Sequence, residues 1–227
     1  MKKVILSLGL LVGMAGVANA QTGLKLGLKG GFNGATFSGT NSKGSEYKAG
    51  FAAGGLINYG FSDLISVQGE LLYSQKGASI DAFNKTGAAA SFANGTTFKS
   101  TLGYIDVPIL LKVTAGDDGK GLFFELGPQG SFVIHNRDFY QNGSDQSTEN
   151  TSTDALNKVV IGYVAGLGYQ LTSGLGLGIR YTGDISQVYK DGAAIPVTLA
   201  GITGAAGAPN VHNSVFQFQV HYLFGGK

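Results

Sequence analysis

Hydrophobic and polar residues alternate with a period of two along nearly the whole chain beyond residue 22, the pattern of strands with one apolar and one polar face. Between Tyr47 and Phe61 the odd positions read Tyr, Ala, Phe, Ala, Gly, Ile, Tyr, Phe, and the even ones Lys, Gly, Ala, Gly, Leu, Asn, Gly. Near the C-terminus, Phe216, Phe218, Val220, Tyr222 and Phe224 alternate with Gln217, Gln219, His221 and Leu223. Leu71 and Tyr73 oppose Glu70, Ser74 and Lys76; Leu177, Ile179 and Tyr181 oppose Arg180, Thr182 and Asp184. Eight such segments are predicted, over 23–33, 47–61, 65–76, 101–114, 121–135, 157–171, 174–186 and 213–224. Most exceed the usual soluble strand of about 5–6 residues and match the roughly 9–11 needed to cross a bilayer at a tilt. No segment shows a convincing helical repeat.

The connections alternate in length. Those at Ser62–Leu64, Ala115–Lys120 and Thr172–Ser173 are short; those at 34–46, 77–100, 136–156 and 187–212 are long. Strict alternation places all short turns at one end and all long loops at the other. The fold class is therefore all-β: an eight-stranded antiparallel up-and-down transmembrane β-barrel with four long extracellular loops. Closure leaves no unpaired strand edge in lipid. Pro108 and Pro128, which lack the ladder donor, fall nearly opposite one another and predict a shared bulge or bend.

Which row faces outward separates a membrane barrel from a soluble one. The apolar rows of the strands quoted carry no charge, whereas the opposite rows hold Lys25, Lys29, Lys48, Glu70, Lys112, Glu125, Arg180 and Asp184 among glycines and glutamines. Aromatics gather toward the row ends at Tyr47, Tyr59, Phe61, Tyr73, Tyr169, Tyr222 and Phe224, as interfacial girdles do. Glu70, Asp106, Lys112, Glu125, Arg180 and Asp184 should then project into one lumen. Eight strands enclose a space just wide enough for side chains to fill it, so these six are expected to form a structural charge network that plugs the barrel. A narrow ion path gated by the same groups is the alternative.

Composition narrows the chemistry. The 227 residues include 38 glycines, no cysteine and no tryptophan, and 13% are charged. Cysteine nucleophiles, disulfides and zinc–thiolate sites are excluded. Met1–Lys3 is basic, Val4–Val17 is apolar and Ala18-Asn19-Ala20 has the small-x-small form of a cleavage site, so residues 1–20 are expected to be a signal peptide and 21–227 the barrel domain. Its removal takes two lysines and no acid, leaving 14 basic against 14 acidic residues and no basic patch for nucleic acid.

The chain resembles the PorT-like outer-membrane β-barrel proteins of Bacteroidota, often labelled porin-family. The resemblance rests on Gly27–Asn33, Tyr104–Lys112 with its Ile-Asp-Val-Pro core, Phe124–Pro128, Gly166–Tyr169 and Leu177–Tyr181. It implies an eight-stranded barrel of the OmpA/OmpX type, exported to the Gram-negative outer membrane and inserted there by the outer-membrane assembly machinery. Outer-membrane lipid and lipopolysaccharide are then partners, with a protein partner reached through the extracellular loops. Membership of a type IX secretion apparatus is a weaker implication. Such barrels often end on an aromatic residue; here Gly225-Gly226-Lys227 follow Phe224.

No catalytic, cofactor-binding or metal site is expected. His135, His212 and His221 lack metal-ligand spacing. Gly174–Gly178 alternates within a strand and no helix follows, so it is no phosphate cradle. His212-Asn213-Ser214 matches the His-x-Ser of outer-membrane lipid A deacylases, but no glutamate follows position 149 to orient the base. The reading is an integral outer-membrane protein with a non-catalytic envelope role: structural, surface-interacting or part of a membrane assembly. A passive pore for small solutes is the alternative, a deacylase the weaker one.

Overall fold

The computed structural model describes residues 23–40, 42, 45–81, 97–116, 119–142, 146–191 and 210–224. Residues 1–20, expected to be the signal peptide, and Gly225–Lys227 lie outside that set.

Among the described residues there are ten strands: β1 (Leu24–Ser38), β2 (Ser45–Glu46), β3 (Lys48–Gly60), β4 (Ile65–Asp81), β5 (Thr97–Ala115), β6 (Gly121–Asn142), β7 (Gln146–Asn150), β8 (Val159–Gln170), β9 (Leu175–Asp184) and β10 (His212–Leu223). Eight form the barrel. Each pairs antiparallel with its neighbour in the order β1-β3-β4-β5-β6-β8-β9-β10, and β10 returns to β1 to close it. The register at closure runs from Gly27 opposite Leu223 to Ser38 opposite His212. The two short strands, β2 on β4 and β7 on β6, lie outside this ring.

The turns explain the pairing. At one end β3 passes to β4 through 61–64, where Phe61 N–H bonds the Ile65 carbonyl at 2.9 Å. At 171–174, Gly174 takes φ of 86°, a conformation that a side chain disfavours. The other end carries the long connections. There β4, β5 and β6, of 17, 19 and 22 residues, run well past their neighbours. The segment 77–100, read from sequence as loop, is thus strand at both ends. Threonine, serine and lysine there alternate too weakly in hydropathy to announce a strand.

The charged rows point inward and most large apolar side chains outward, although Leu56, Leu72, Leu110, Phe123 and Val164 are buried in the interior. Burial alternates residue by residue along β8, and along β10 from Val215 onward. Leu71 (60% exposed), Ile179 (55%) and Phe218 (54%) point outward, while Glu70 and Arg180 are 4% exposed and point inward. Two aromatic belts bracket the outer surface. At the long-loop end Tyr163, Tyr181, Phe216 and Tyr47 form a chain with centroid spacings of 6.0, 5.1 and 6.4 Å. At the short-turn end Tyr59 meets Phe61 at 5.1 Å and Tyr222 meets Phe224 at 5.3 Å. Ile179 lies between the belts. An arginine there would have to desolvate in hydrocarbon, so Ile179→Arg is expected to cost about 2–4 kcal/mol in a lipid-vesicle unfolding titration. A loss below about 1 kcal/mol would contradict a lipid-facing position.

The prolines do not produce the expected bulge. Ladder pairs lapse where Val107–Pro108 face Glu70–Leu71 and where Ile109–Leu110 face Gly127–Pro128, yet the register continues unchanged on both sides. The register shift falls instead at Gly103/Tyr104, where Gly103 faces His135 and Tyr104 faces Val133. Ile134 is the extra residue, and it and His135 are both exposed.

Candidate functional site: the barrel lumen

The lumen is filled in tiers. In the central tier the Glu70 carboxylate accepts hydrogen bonds from the Lys29 ammonium, from Gln68 Nε2 at 2.7 Å and from Arg180 Nη1 at 2.9 Å. Glu125 lies 3.9 Å from Lys29 and 3.8 Å from Arg180, and accepts from Gln219 Nε2 at 2.8 Å. The side chains of these four ionised residues are at most 3% exposed. Two cations thus share two carboxylates in a closed quartet, the arrangement that burial of charge requires. Small neighbours make room for it. Glu125, Gly166 and Arg180 stand in one row across β6, β8 and β9, and a Cβ at Gly166 would come within 2.9 Å of Glu125 Oε1 and 2.8 Å of Arg180 Cβ.

A second tier lies toward the long-loop end. Lys76 Nζ is 3.1 Å from Asp106 and 3.9 Å from Asp184, donates to Ser131 Oγ at 3.0 Å and sits 4.7 Å from the Tyr104 ring centroid. Asn213 Nδ2 bridges Asp184 at 2.7 Å and the Tyr104 hydroxyl at 3.2 Å. A third tier lies toward the short turns. There Lys112 Nζ donates to Gln170 Oε1 at 3.1 Å and sits 4.1 Å from the Phe123 ring centroid, while a His221 ring nitrogen is 2.8 Å from the same Gln170 oxygen.

Above the second tier the mouth is closed by an apolar cap. Phe37, Ala78, Leu102, Leu156, Val160, Val188, Tyr189 and Val211 form one buried cluster with Tyr104. Its members come from β1, β4, β5 and β8 and from two loop segments, so it spans the interior. The loops are stitched together: Leu156 pairs with Tyr189, Val188 N–H bonds the Val211 carbonyl at 2.8 Å, and Asn157 Nδ2 bonds the carbonyls of Gln187 and Tyr189. Beside the cap, Asp138 projects past the first residue of β8. Burial raises its carboxyl above its ordinary value despite the hydrogen bond donated by Asn136. Burial and the nearby Asp138 also raise the Tyr189 hydroxyl.

All six residues singled out from sequence lie in this interior, but not as one group. Glu70, Glu125 and Arg180 meet in the central quartet; Asp106 and Asp184 meet at Lys76; Lys112 stands apart with Gln170. Lys29 and Lys76, which complete the two ion-pair clusters, were not among the six, although both sit on polar rows. The cap was not anticipated at all. The His-x-Ser match does not assemble: His212 Nδ1 lies 3.0 Å from the Ser186 carbonyl, and the Ser214 hydroxyl donates to the Tyr181 hydroxyl at 3.0 Å. Among the described residues, no group of three or more His, Asp or Glu side chains is placed to hold a metal ion.

Lipid-facing wall, belts and filled lumen define a small membrane-inserted β-barrel. Residues 19–189 match the family model for the outer membrane protein beta-barrel domain, and the chain belongs to that family; it resides in the outer membrane. Comparison with curated proteins finds no match. Solved structures similar in fold include Ail, the attachment invasion locus protein of Yersinia pestis, at 12% identity and a TM-score of 0.48, covering 90% of this chain and all of that one. Neisserial surface protein A follows at 15% identity and 0.44, covering 87% of this chain and 96% of that one. OprG of Pseudomonas aeruginosa gives 9% and 0.40, covering 89% and 96%.

Proposed function

We propose that this protein is a sealed, non-catalytic barrel that serves the outer-membrane envelope as a rigid platform, its extracellular loops offering the surface for a partner. The carrying observation is the double closure of the lumen: a buried ion quartet at mid-height and an apolar cap above it. A channel needs a continuous wet path, whereas here the four central charges face one another across the lumen and loop side chains cap the mouth. The belts suit contact with outer-membrane lipid and lipopolysaccharide, and insertion falls to the assembly machinery that handles such barrels. Export by a cleaved signal peptide ending at Ala20 completes this reading. Kinship with PorT-like proteins, and through it a place in a secretion assembly, is its finer form, resting on the motif resemblance.

Planar-bilayer recording of the refolded protein tests the sealed lumen. The expected result is a silent membrane under applied voltage. Steady, reproducible conductance steps would refute the sealed barrel and favour the passive pore.

A further inference from the structure

Beneath the third tier the lumen opens between the short turns as a cavity of about 280 Å³, on the periplasmic side in the orientation that places the long loops outside. It is smaller than most ligand pockets, which run from about 300 to 1,000 Å³, so it suits a small occupant. Lys25, Asn58, Asp63, Ser66, Lys112 and Gln170 are among the residues that line it. The charge balance of this half of the barrel is uneven. Lys29, Arg180 and Lys112 lie in its two lower tiers against Glu70 and Glu125; Glu125 is the cross-strand neighbour of Lys112, but both carboxylates make their ion pairs with Lys29 and Arg180. The other buried carboxylates, Asp106 and Asp184, flank Lys76 in the upper tier. Lys112 is 2% exposed, and its polar contacts are one amide oxygen and one ring face. Among the described residues neither Lys112 nor Lys25 has a carboxylate oxygen within 4.0 Å. A buried ammonium without a counter-charge is costly, and a second lysine at the mouth adds to the positive field of a narrow, low-dielectric space.

We propose that this vestibule is a binding site for a small oxyanion drawn from the periplasm, with Lys112 as its inner cation and Lys25 as its outer one. The polar wall of Asn58, Ser66 and Gln170 would orient the oxygens, and the closed quartet above would stop the anion from passing further. Asp63 lies on the same lining, a carboxylate that opposes an oxyanion, so the two lysines must outweigh it.

Isothermal titration of the full-length barrel folded in a maltoside detergent tests this, with sulfate, inorganic phosphate and a tetraglutamate peptide as probes. Saturable one-to-one binding of at least one probe is expected. Sulfate or phosphate alone would mark a free ion as the ligand; the peptide would mark a polymer-borne carboxylate. Loss of a charge-assisted contact should make Lys112→Met bind about tenfold more weakly or worse, and Lys25→Gln about threefold more weakly. Heat-modifiable gel migration shows whether each variant is folded; should Lys112→Met fail to fold, Lys25→Gln carries the test. No binding by the native chain overturns the proposal, as does unchanged affinity in the folded variants.

Discussion

Glu70→Leu should destabilise the folded barrel by about 3–5 kcal/mol, the cost of breaking a buried ion pair from one side. The carboxylate accepts from Lys29, Gln68 and Arg180. Leucine removes all three acceptor contacts and leaves two cations facing one remaining carboxylate, Glu125, which approaches each no closer than 3.8 Å. Water offers little relief, since the side chains of all three remaining groups are at most 3% exposed. Replacing Lys29, Glu70, Glu125 and Arg180 together with neutral residues of similar volume should cost less than Glu70→Leu alone, because no charge is then stranded. Urea titration in lipid vesicles, followed by heat-modifiable migration, measures both. A Glu70→Leu loss under about 1 kcal/mol would mean that the quartet is hydrated in the membrane and does not seal the lumen.

The difference between the quartet and its surroundings also shows where sequence reading reaches its limit. Parity along each strand assigns a side chain to lipid or lumen without knowledge of any partner strand. It therefore placed Leu71 and Glu70, or Ile179 and Arg180, on their correct faces. Height along the barrel axis is another matter. Glu70 and Arg180 are 110 residues apart, and they meet only because the registers of the strands between them bring both to the same level. Register depends on strand tilt and stagger, which hydropathy does not encode. Hence six inward charges were recognisable, but not their division among Lys29, Lys76 and Gln170. The cap was hidden for a different reason: Leu156, Val188 and Tyr189 lie in irregular segments, where no period marks an apolar residue as buried. Pro108 and Pro128 mark no bulge because a missing donor interrupts the ladder without inserting a residue, whereas the register shift at Gly103/Tyr104 arises where an extra residue, Ile134, enters β6. Where the pattern extended past the membrane, as in the outer parts of β4 to β6, alternation faded because neither face there meets lipid.

Lys76→Met should prove about as damaging as the change at Glu70, for the opposite reason of charge: roughly 3–5 kcal/mol, from two carboxylates left buried without their cation. Lys76 is the single ion-pair partner that Asp106 and Asp184 share among the described residues, at 3.1 and 3.9 Å. Methionine fills nearly the same volume and keeps contact with the Tyr104 ring, so packing loss adds little and the measured change isolates the electrostatics. Asn213 still donates to Asp184, whereas among the described residues no hydrogen bond is donated to Asp106 Oδ1. The asymmetry gives a second readout. Adding Asp106→Asn to Lys76→Met should recover more stability than adding Asp184→Asn, and the pairwise coupling in either cycle should exceed the few tenths of a kcal/mol seen for independent sites. Equal recovery by the two would show that Asn213 does not discriminate between the carboxylates. No coupling at all would show that the upper tier is three separately solvated groups. Because this tier lies directly beneath the cap, its collapse should also loosen the loops above it. Hydrogen exchange at the amides of Asn157 and Val188, bonded to the carbonyls of Val188 and Val211, should then accelerate in Lys76→Met while exchange in the β8–β9 ladder near the short turns keeps its native rate.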